Sequence, residues 1–468
     1  MPDPFLLAHH ASERTFSFAG GLSPISIRDQ IVRSQLFIRR AIEKDFISPK
    51  KPLVVAGGGF AGVAAVLSAL NADIPTTLIE KNARILSVQR CCNSRWLDPA
   101  EYDWPASHWD CSVLPCRPEL AGPPVPWSGG KWASVLVTEW DSAYSNMKLL
   151  KGALLTEMLE YELVVARPST TNPHHAVTVE VKKNGSGEQL DAAACLVCIG
   201  FVGEKCQIGK DHLTRGPGFW KPDDICDPHF GIGNSQPEIV ISGGGDGALQ
   251  DYLRITINPS VYGIKDIFTA LSLPPLMQAK CRDAFIKANR MCLWGIEKSH
   301  DHEPLSWLQE QYQKVVDDLL ELQTTKETLE KLIRRPLPRV RLVHSCSHFS
   351  SSYPANRFLV QLVATYLLRH HPDRLETLYS HKKLCKLEGI GHQCDGKEKT
   401  CGNQRHRYST CEVEKCGGPD GPHKDVDKEA DLVIIRHGLH DIDRLPQPLQ
   451  ELVIAKCRQI LPYALFPP

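Results

Sequence analysis

The sequence predicts an α/β fold made of two parallel-sheet domains with a helical insertion, and three observations carry that prediction. Residues 53–80 read LVVAGGGFAGVAAVLSALNADIPTTLIE, a short apolar run, a glycine turn, a small-residue helix and a second apolar run. The theme recurs at 238–253, EIVISGGGDGALQDYL. Far downstream of each comes an apolar strand that stops at glycine, ACLVCIG ending at Gly200 and DLVIIRHG ending at Gly438. A chain of 468 residues exceeds what one compact core organises, so two domains are the natural division.

The first motif is the more complete. Gly57-x-Gly59-x-x-Gly62 follows an apolar run, and seventeen residues separate Gly62 from Glu80, the span of one turn, one helix and one strand of a βαβ unit. Gly57 allows the tight turn, Gly59 lets the backbone approach a pyrophosphate, and Gly62 lets helix and strand pack closely. The helix that opens at Phe60 and Ala61 directs free N–H groups and partial positive charge at that pyrophosphate. Glu80, at the end of the second strand, is placed to accept hydrogen bonds from ribose hydroxyls. A dinucleotide site follows from glycines, strands and acid in register.

The second motif has Gly243-x-Gly245, then Asp246, with Ala248 where the third glycine stands in the first. A small side chain suffices there. No strand ending in an acid follows at the matching distance. Instead 276–335 has a helical pattern, with Leu308, Tyr312, Val315, Val316, Leu319 and Leu322 on one stripe. The sheet resumes at RVRLVHSC and the helix NRFLVQLVATYLL, so the pattern is a second nucleotide-binding domain interrupted by a helical insertion.

The divisions that follow are 1–50, an N-terminal helical extension; 51–236, the first domain; 237–440, the second; and 441–468, a C-terminal helix from Gln447. Within 1–50, residues 26–47 carry an amphipathic helix pattern. The first domain contains a β-meander (YELVV, AVTVEVKK, the turn NGSG) and a segment with Trp96, Trp104, Trp109, Trp127, Trp132 and Trp140, six of the nine tryptophans within 45 residues. Two readings of this segment stay open, a packed cap and rings that wall a ligand site.

Lys plus Arg equals Asp plus Glu at 54 each, so no global field draws the protein to nucleic acid or to an anionic membrane. No apolar stretch reaches the roughly 20 residues of a membrane helix, and the N-terminus lacks a signal pattern, which points to a cytoplasmic setting. The 17 cysteines then read as reduced thiols, metal ligands or redox groups rather than a disulfide framework.

Two glycine-rich βαβ motifs about 185 residues apart, each with a downstream strand ending in glycine, resemble the two-dinucleotide-binding flavoprotein superfamily. Thioredoxin reductases, single-cysteine disulfide reductases and flavin monooxygenases belong to it. The resemblance spans roughly 52–438 and implies two Rossmann-like domains. It implies FAD at Gly57, Gly59, Phe60, Ala61, Gly62, Glu80 and Gly200, and NADPH or NADH at Gly243, Gly245, Asp246 and Ala248. GGGDGA is similar to the GGGDSA run of the thioredoxin reductase branch. The residues after the second strand of the second domain, HSCSH with Arg357 further on, favour neither nicotinamide dinucleotide.

Three chemistries are compatible with this. Hydride passed from nicotinamide to flavin and on to oxygen or a small-molecule substrate needs no protein nucleophile, and His108, His344 and His348 are candidates to shape such a pocket. A disulfide or peroxide reductase would use Cys91 or Cys92, close to where single-cysteine reductases carry theirs, with Arg90 to favour the thiolate. A non-catalytic FAD or NAD sensor is the third. Cys195-x-x-Cys198 has redox-dithiol spacing but lies in an apolar strand, which argues against that role.

The polar segment 385–423 holds Cys394, Cys401, Cys411 and Cys416, weak candidates for structural zinc because no Cys-x-x-Cys pair occurs there; a surface insertion is the alternative. A homo-oligomer stays open.

Overall fold

The computed structural model describes residues 3–19, 26–99, 101–106, 109, 113–114, 124–170, 176–200, 204, 206, 218–227, 236–292, 303–344, 352–371, 379–380, 382–389, 406–412, 428–438 and 446–452. Two compact units emerge. The first comprises Met1–Pro99, Cys111–Gly203 and Leu439–Pro468, the second Ala100–Asp110 and Glu204–Gly438.

The first unit is built on a six-stranded sheet whose order is His10–Ser12, Thr15–Ser17, Ala194–Val197, Leu53–Ala56, Thr76–Glu80, Leu155–Leu159. All neighbours are parallel except the short N-terminal hairpin. Strands buried on both faces read as continuous apolar runs, as LVVA and ACLV do. Alternation sends Val54, Ala56, Ile79, Cys195 and Val197 into one core with the antiparallel meander Glu162–Pro168, Val177–Lys183 and Ser186–Ala192. Asn184 and Gly185 make the meander's tight turn, both at positive φ.

On the other face lies the helix Phe60–Asn71. It is buried on nearly every side because a second helix, Ile27–Glu43, covers it, with Ser34 Oγ 2.7 Å from the Ala61 carbonyl. That amphipathic helix starts where its cap says it does: the Ser26 side chain accepts the Asp29 N–H.

The second unit repeats the plan. Its parallel sheet runs Tyr379–Ser380, Arg339–His344, Glu238–Ser242, Leu432–Ile435. Val240, Val343, Val433 and Ile435 face a meander of Lys382–Gly389, His406–Glu412 and Lys428–Ala430. Ile239, Ile241, Val340, Leu342 and Ile434 face the helices. A helical insertion is present as Pro275–Cys292, Glu303–Glu321 and Gln323–Leu332, and it opens earlier than the expected 276–335, with the additional helix Ile264–Leu271. Its stripe of Leu308, Tyr312, Val315, Val316 and Leu319 is buried, whereas Leu322 at its end is 38% exposed.

Three features differ from the sequence divisions. The segment 1–50 is more than a helical extension, since Thr15–Ser17 extends the first sheet. Within segment 385–423 the described residues, 385–389 and 406–412, belong to two strands of the second meander, Lys382–Gly389 and His406–Glu412, where the sequence reading expected a metal site or a surface insertion. Residues 101–106 leave the first unit for the second, where Trp104 is fully buried, stacked on Phe268 at 4.9 Å and close to Phe358 at 5.0 Å. Aromatic density without a period does not reveal which core will take the ring. The C-terminal helix is described over Gln447–Glu451, and its expected continuation lies outside the described residues.

Trp127 and Trp140 are fully buried too, so the packed-cap reading describes these rings. Truncating Trp104 removes the largest side chain from the second unit's core. Trp104→Ala is expected to cost about 3–5 kcal/mol, measured as a lower urea midpoint.

Candidate functional sites

Each unit places one glycine loop between the C-terminal end of its central strand and the helix that follows. In the first, Gly57 has φ +111°, and a Cβ there would stand 2.2 Å from the Cys198 carbonyl oxygen. The amide of Gly57 donates to Ile79 O at 2.7 Å, and Cys198 N donates to Ala56 O at 2.6 Å. Three adjacent strands are thus laced together at the turn. A Cβ on Gly62 would lie 1.8 Å from the Gly57 carbonyl oxygen, so the helix can meet the turn only through glycine.

Gly59 is different. Its φ of −76° suits any residue, and a Cβ would meet nothing within 4 Å. The fold has no use for glycine here, and open space in front of the backbone is what a closely approaching ligand requires. Gly59 is also the N-cap of the helix, without a side-chain cap, so the first-turn N–H groups face that space.

Glu80 closes the site. Its carboxylate is buried, with Oε2 accepting the Gly58 N–H at 2.6 Å and Oε1 accepting Asn82 N at 2.8 Å and Asn82 Nδ2 at 2.5 Å. A carboxylate offers about four acceptor positions, so one on Oε2 is left for a hydroxyl. Gly200, at φ +74°, lies just beyond the neighbouring strand Ala194–Val197, with open space at its Cβ position. Phe60 packs its ring on Trp140 at 5.5 Å and Ala61 gives its carbonyl to Ser34, so these two contribute backbone to the site.

The second loop reproduces this geometry. Gly243 has φ +144°, and a Cβ there would stand 2.2 Å from the Arg436 carbonyl oxygen. Gly243 N donates to Val343 O at 2.8 Å and Arg436 N to Ser242 O at 2.7 Å. Gly245, the N-cap of Asp246–Thr256, again has no side-chain cap and open space at its Cβ position. Ala248 is fully buried. Asp246 Oδ1 accepts Tyr353 N at 2.7 Å and Asn356 Nδ2 at 2.6 Å, which ties the loop to the helix Pro354–His370. Arg357, in that helix, is buried.

Buried charges brace the second loop. Asp251 holds Arg436 Nε at 2.9 Å and Arg254 Nη1 at 2.9 Å, and Arg254 Nη2 reaches Asp223 at 2.6 Å. This network fixes the strand end whose carbonyl abuts Gly243. Sequence reasoning missed it, although Asp251 and Arg254, three apart on an otherwise apolar helix face, were a legible signal.

No family model matches this chain, and no curated protein matches it. Among solved structures, thioredoxin reductase from Lactococcus lactis aligns over 83% of this chain and 78% of its own at 9% identity and a TM-score of 0.38. Bacillithiol disulfide reductase from Bacillus cereus aligns over 83% and 78% at 12% identity and a TM-score of 0.41. The cadaverine monooxygenase of the desferrioxamine pathway from Erwinia amylovora, solved with FAD, aligns over 86% and 81% at 8% identity and a TM-score of 0.40. All three belong to the superfamily that the glycine motifs resemble.

The thiols divide clearly. Cys195 and Cys198 are buried, and desolvation pushes Cys195 up to about 12 and Cys198 higher still. Neither forms thiolate near neutrality, as a redox dithiol must. Cys91 is exposed and Cys92 fully buried. Arg90 does not serve them through its terminal nitrogens: Nη1 binds Asp141 at 3.0 Å and Nη2 the Ile85 carbonyl at 3.1 Å.

Among the described residues no group of three or more His, Cys, Asp or Glu is placed to hold a metal. Cys411 lies on the strand His406–Glu412, while Cys394, Cys401 and Cys416, like His108 and His348, fall outside the described residues. No described helix is long and apolar enough to cross a membrane.

The contrast between structural and open glycines is testable. Gly57→Ala combines left-handed strain of about 1–2 kcal/mol with overpacking of about 1–3 kcal/mol. Gly59→Ala is expected within about 1 kcal/mol of wild type. Urea unfolding of the two variants measures the difference.

Proposed function

We propose that this protein is an FAD-dependent oxidoreductase that accepts hydride from a nicotinamide dinucleotide and delivers it to oxygen or a small-molecule substrate. One observation carries the reading: Gly59, a glycine the fold does not need, fronts open space at an uncapped helix N-terminus, beside a buried carboxylate with one acceptor position left. A backbone that must stay bare, amides without partners on side chains and an acid for a ribose hydroxyl together fit the pyrophosphate and ribose of FAD.

Each residue then has a role. The amides following Gly59 bind the pyrophosphate, and Glu80, oriented by Gly58 and Asn82, accepts from the adenosine ribose. Gly243 and Gly245 offer the second dinucleotide the same bare backbone. Bound FAD supplies the redox chemistry, which is why no nucleophile is required of the chain. The committed terminal nitrogens of Arg90 and the burial of Cys92 favour this over a single-cysteine reductase.

Purified protein loaded with FAD is expected to bleach anaerobically on adding NADPH or NADH and to recover its colour in air or with an acceptor. Flavin that stays oxidised with both dinucleotides would leave a binding protein without turnover. Glu80→Ala combined with Gly59→Val is expected to abolish flavin binding in a folded chain; flavin retained at wild-type stoichiometry would refute the assignment of the first site.

A further inference from the structure

The helix Ile27–Glu43 stands outside the βαβ motif, yet it reaches past the first glycine loop. Ser34 Oγ lies 2.8 Å from the Gln30 carbonyl of its own helix and 2.7 Å from the Ala61 carbonyl, in the first turn of Phe60–Asn71. The backbone of Gln30 is thus beside the start of the motif's helix. Beyond the other end of Ile27–Glu43, Phe46 lies against Phe16 at 5.9 Å and beneath the Arg14 guanidinium at 3.8 Å. Arg14 immediately precedes the strand Thr15–Ser17, which is parallel to Ala194–Val197. Both helices therefore run from the carboxyl ends of the parallel strands toward their amino ends.

Residues 27–33 precede the level of Ala61 and carry the helix roughly 10 Å beyond it, at about 1.5 Å per residue. That is the side on which open space fronts Gly59. The overhang is buried: Ile27, Arg28, Asp29, Ile31 and Arg33 are each 7% exposed or less. It carries two arginines against one acid, with Arg28 paired to Asp29 at 3.0 Å.

Gln30 stands one turn before Ser34, on the same face of the helix. Helical side chains lean toward their N-terminus, which carries its amide toward the open side of the loop. Gln30 Nε2 is buried and has no hydrogen-bond partner among the described residues. A buried donor without a partner destabilises the chain that holds it, and an anionic oxygen is the acceptor that offsets this most strongly. We infer that the N-terminal helix is part of the first cradle, and that the Gln30 amide donates to the pyrophosphate of the dinucleotide held there. The inference rests on the proposed reading of the first glycine loop as an FAD site.

Calorimetric titration of the flavin-free protein with FAD, paired with thermal unfolding before FAD is added, tests it. Gln30→Met keeps the length of the side chain and removes the donor. It is expected to bind FAD about tenfold more weakly, while the flavin-free chain melts at or above the wild-type temperature because an unpartnered donor has left the interior. Gln30→Glu, of the same shape but negatively charged, is expected to bind FAD more weakly still. Wild-type affinity in Gln30→Met overturns the role of Gln30. So does a flavin-free Gln30→Met chain that melts well below wild type, since the amide then serves the fold. Gln30→Glu that binds FAD as tightly as Gln30→Met overturns the pyrophosphate as the group Gln30 meets. A wild type that binds no FAD overturns the reading of the first loop, and the inference with it.

Discussion

The contact on which both units depend is that of a glycine backbone with a carbonyl of the neighbouring strand. At Gly57 and at Gly243 the chain leaves the central strand so close to the next strand's end that a single Cβ would collide with Cys198 O or Arg436 O. That approach lets the first-glycine amide reach across to Ile79 or Val343, joining three strands at one point. The helix then starts from a position set by the sheet, and its uncapped amides converge on the same space as the end of the second strand.

Around this shared device the units satisfy their surroundings differently. The first holds Glu80 with two backbone amides and the Asn82 side chain. The second surrounds it with ion pairs, in which Asp251 is shared between Arg436 and Arg254. Removing one partner of such a buried set leaves an uncompensated charge, so these residues hold the loop's geometry more firmly than exposed pairs of the same kind would. The identical backbone lacing with dissimilar side chains is what makes the two sites comparable position by position.

Much of this was legible in the sequence because glycine is demanded by geometry. GGGFAG and GGGDGA announce two turns, and the glycines ending ACLVCIG and DLVIIRHG are both at positive φ. The helical insertion was legible through its buried stripe. What escaped detection depended on partners distant in the chain. Nothing local tells Trp104 to join a core built by Phe268 and Phe358, or Thr15–Ser17 to extend a parallel sheet. The second meander was obscured by the lysines and cysteines in its strands, and the second strand of the second unit was set apart from its glycine loop by the helices inserted before it.

The central claim is that one of two geometrically matched cradles is fitted to FAD. The most direct measurement is the amount of FAD released per chain when the FAD-saturated, gel-filtered protein is denatured. One FAD per chain is predicted, since only the first cradle has an acid, Glu80, at the end of its second strand, where an unmodified ribose is held. A chain that releases none after saturation, or releases two, would contradict the account.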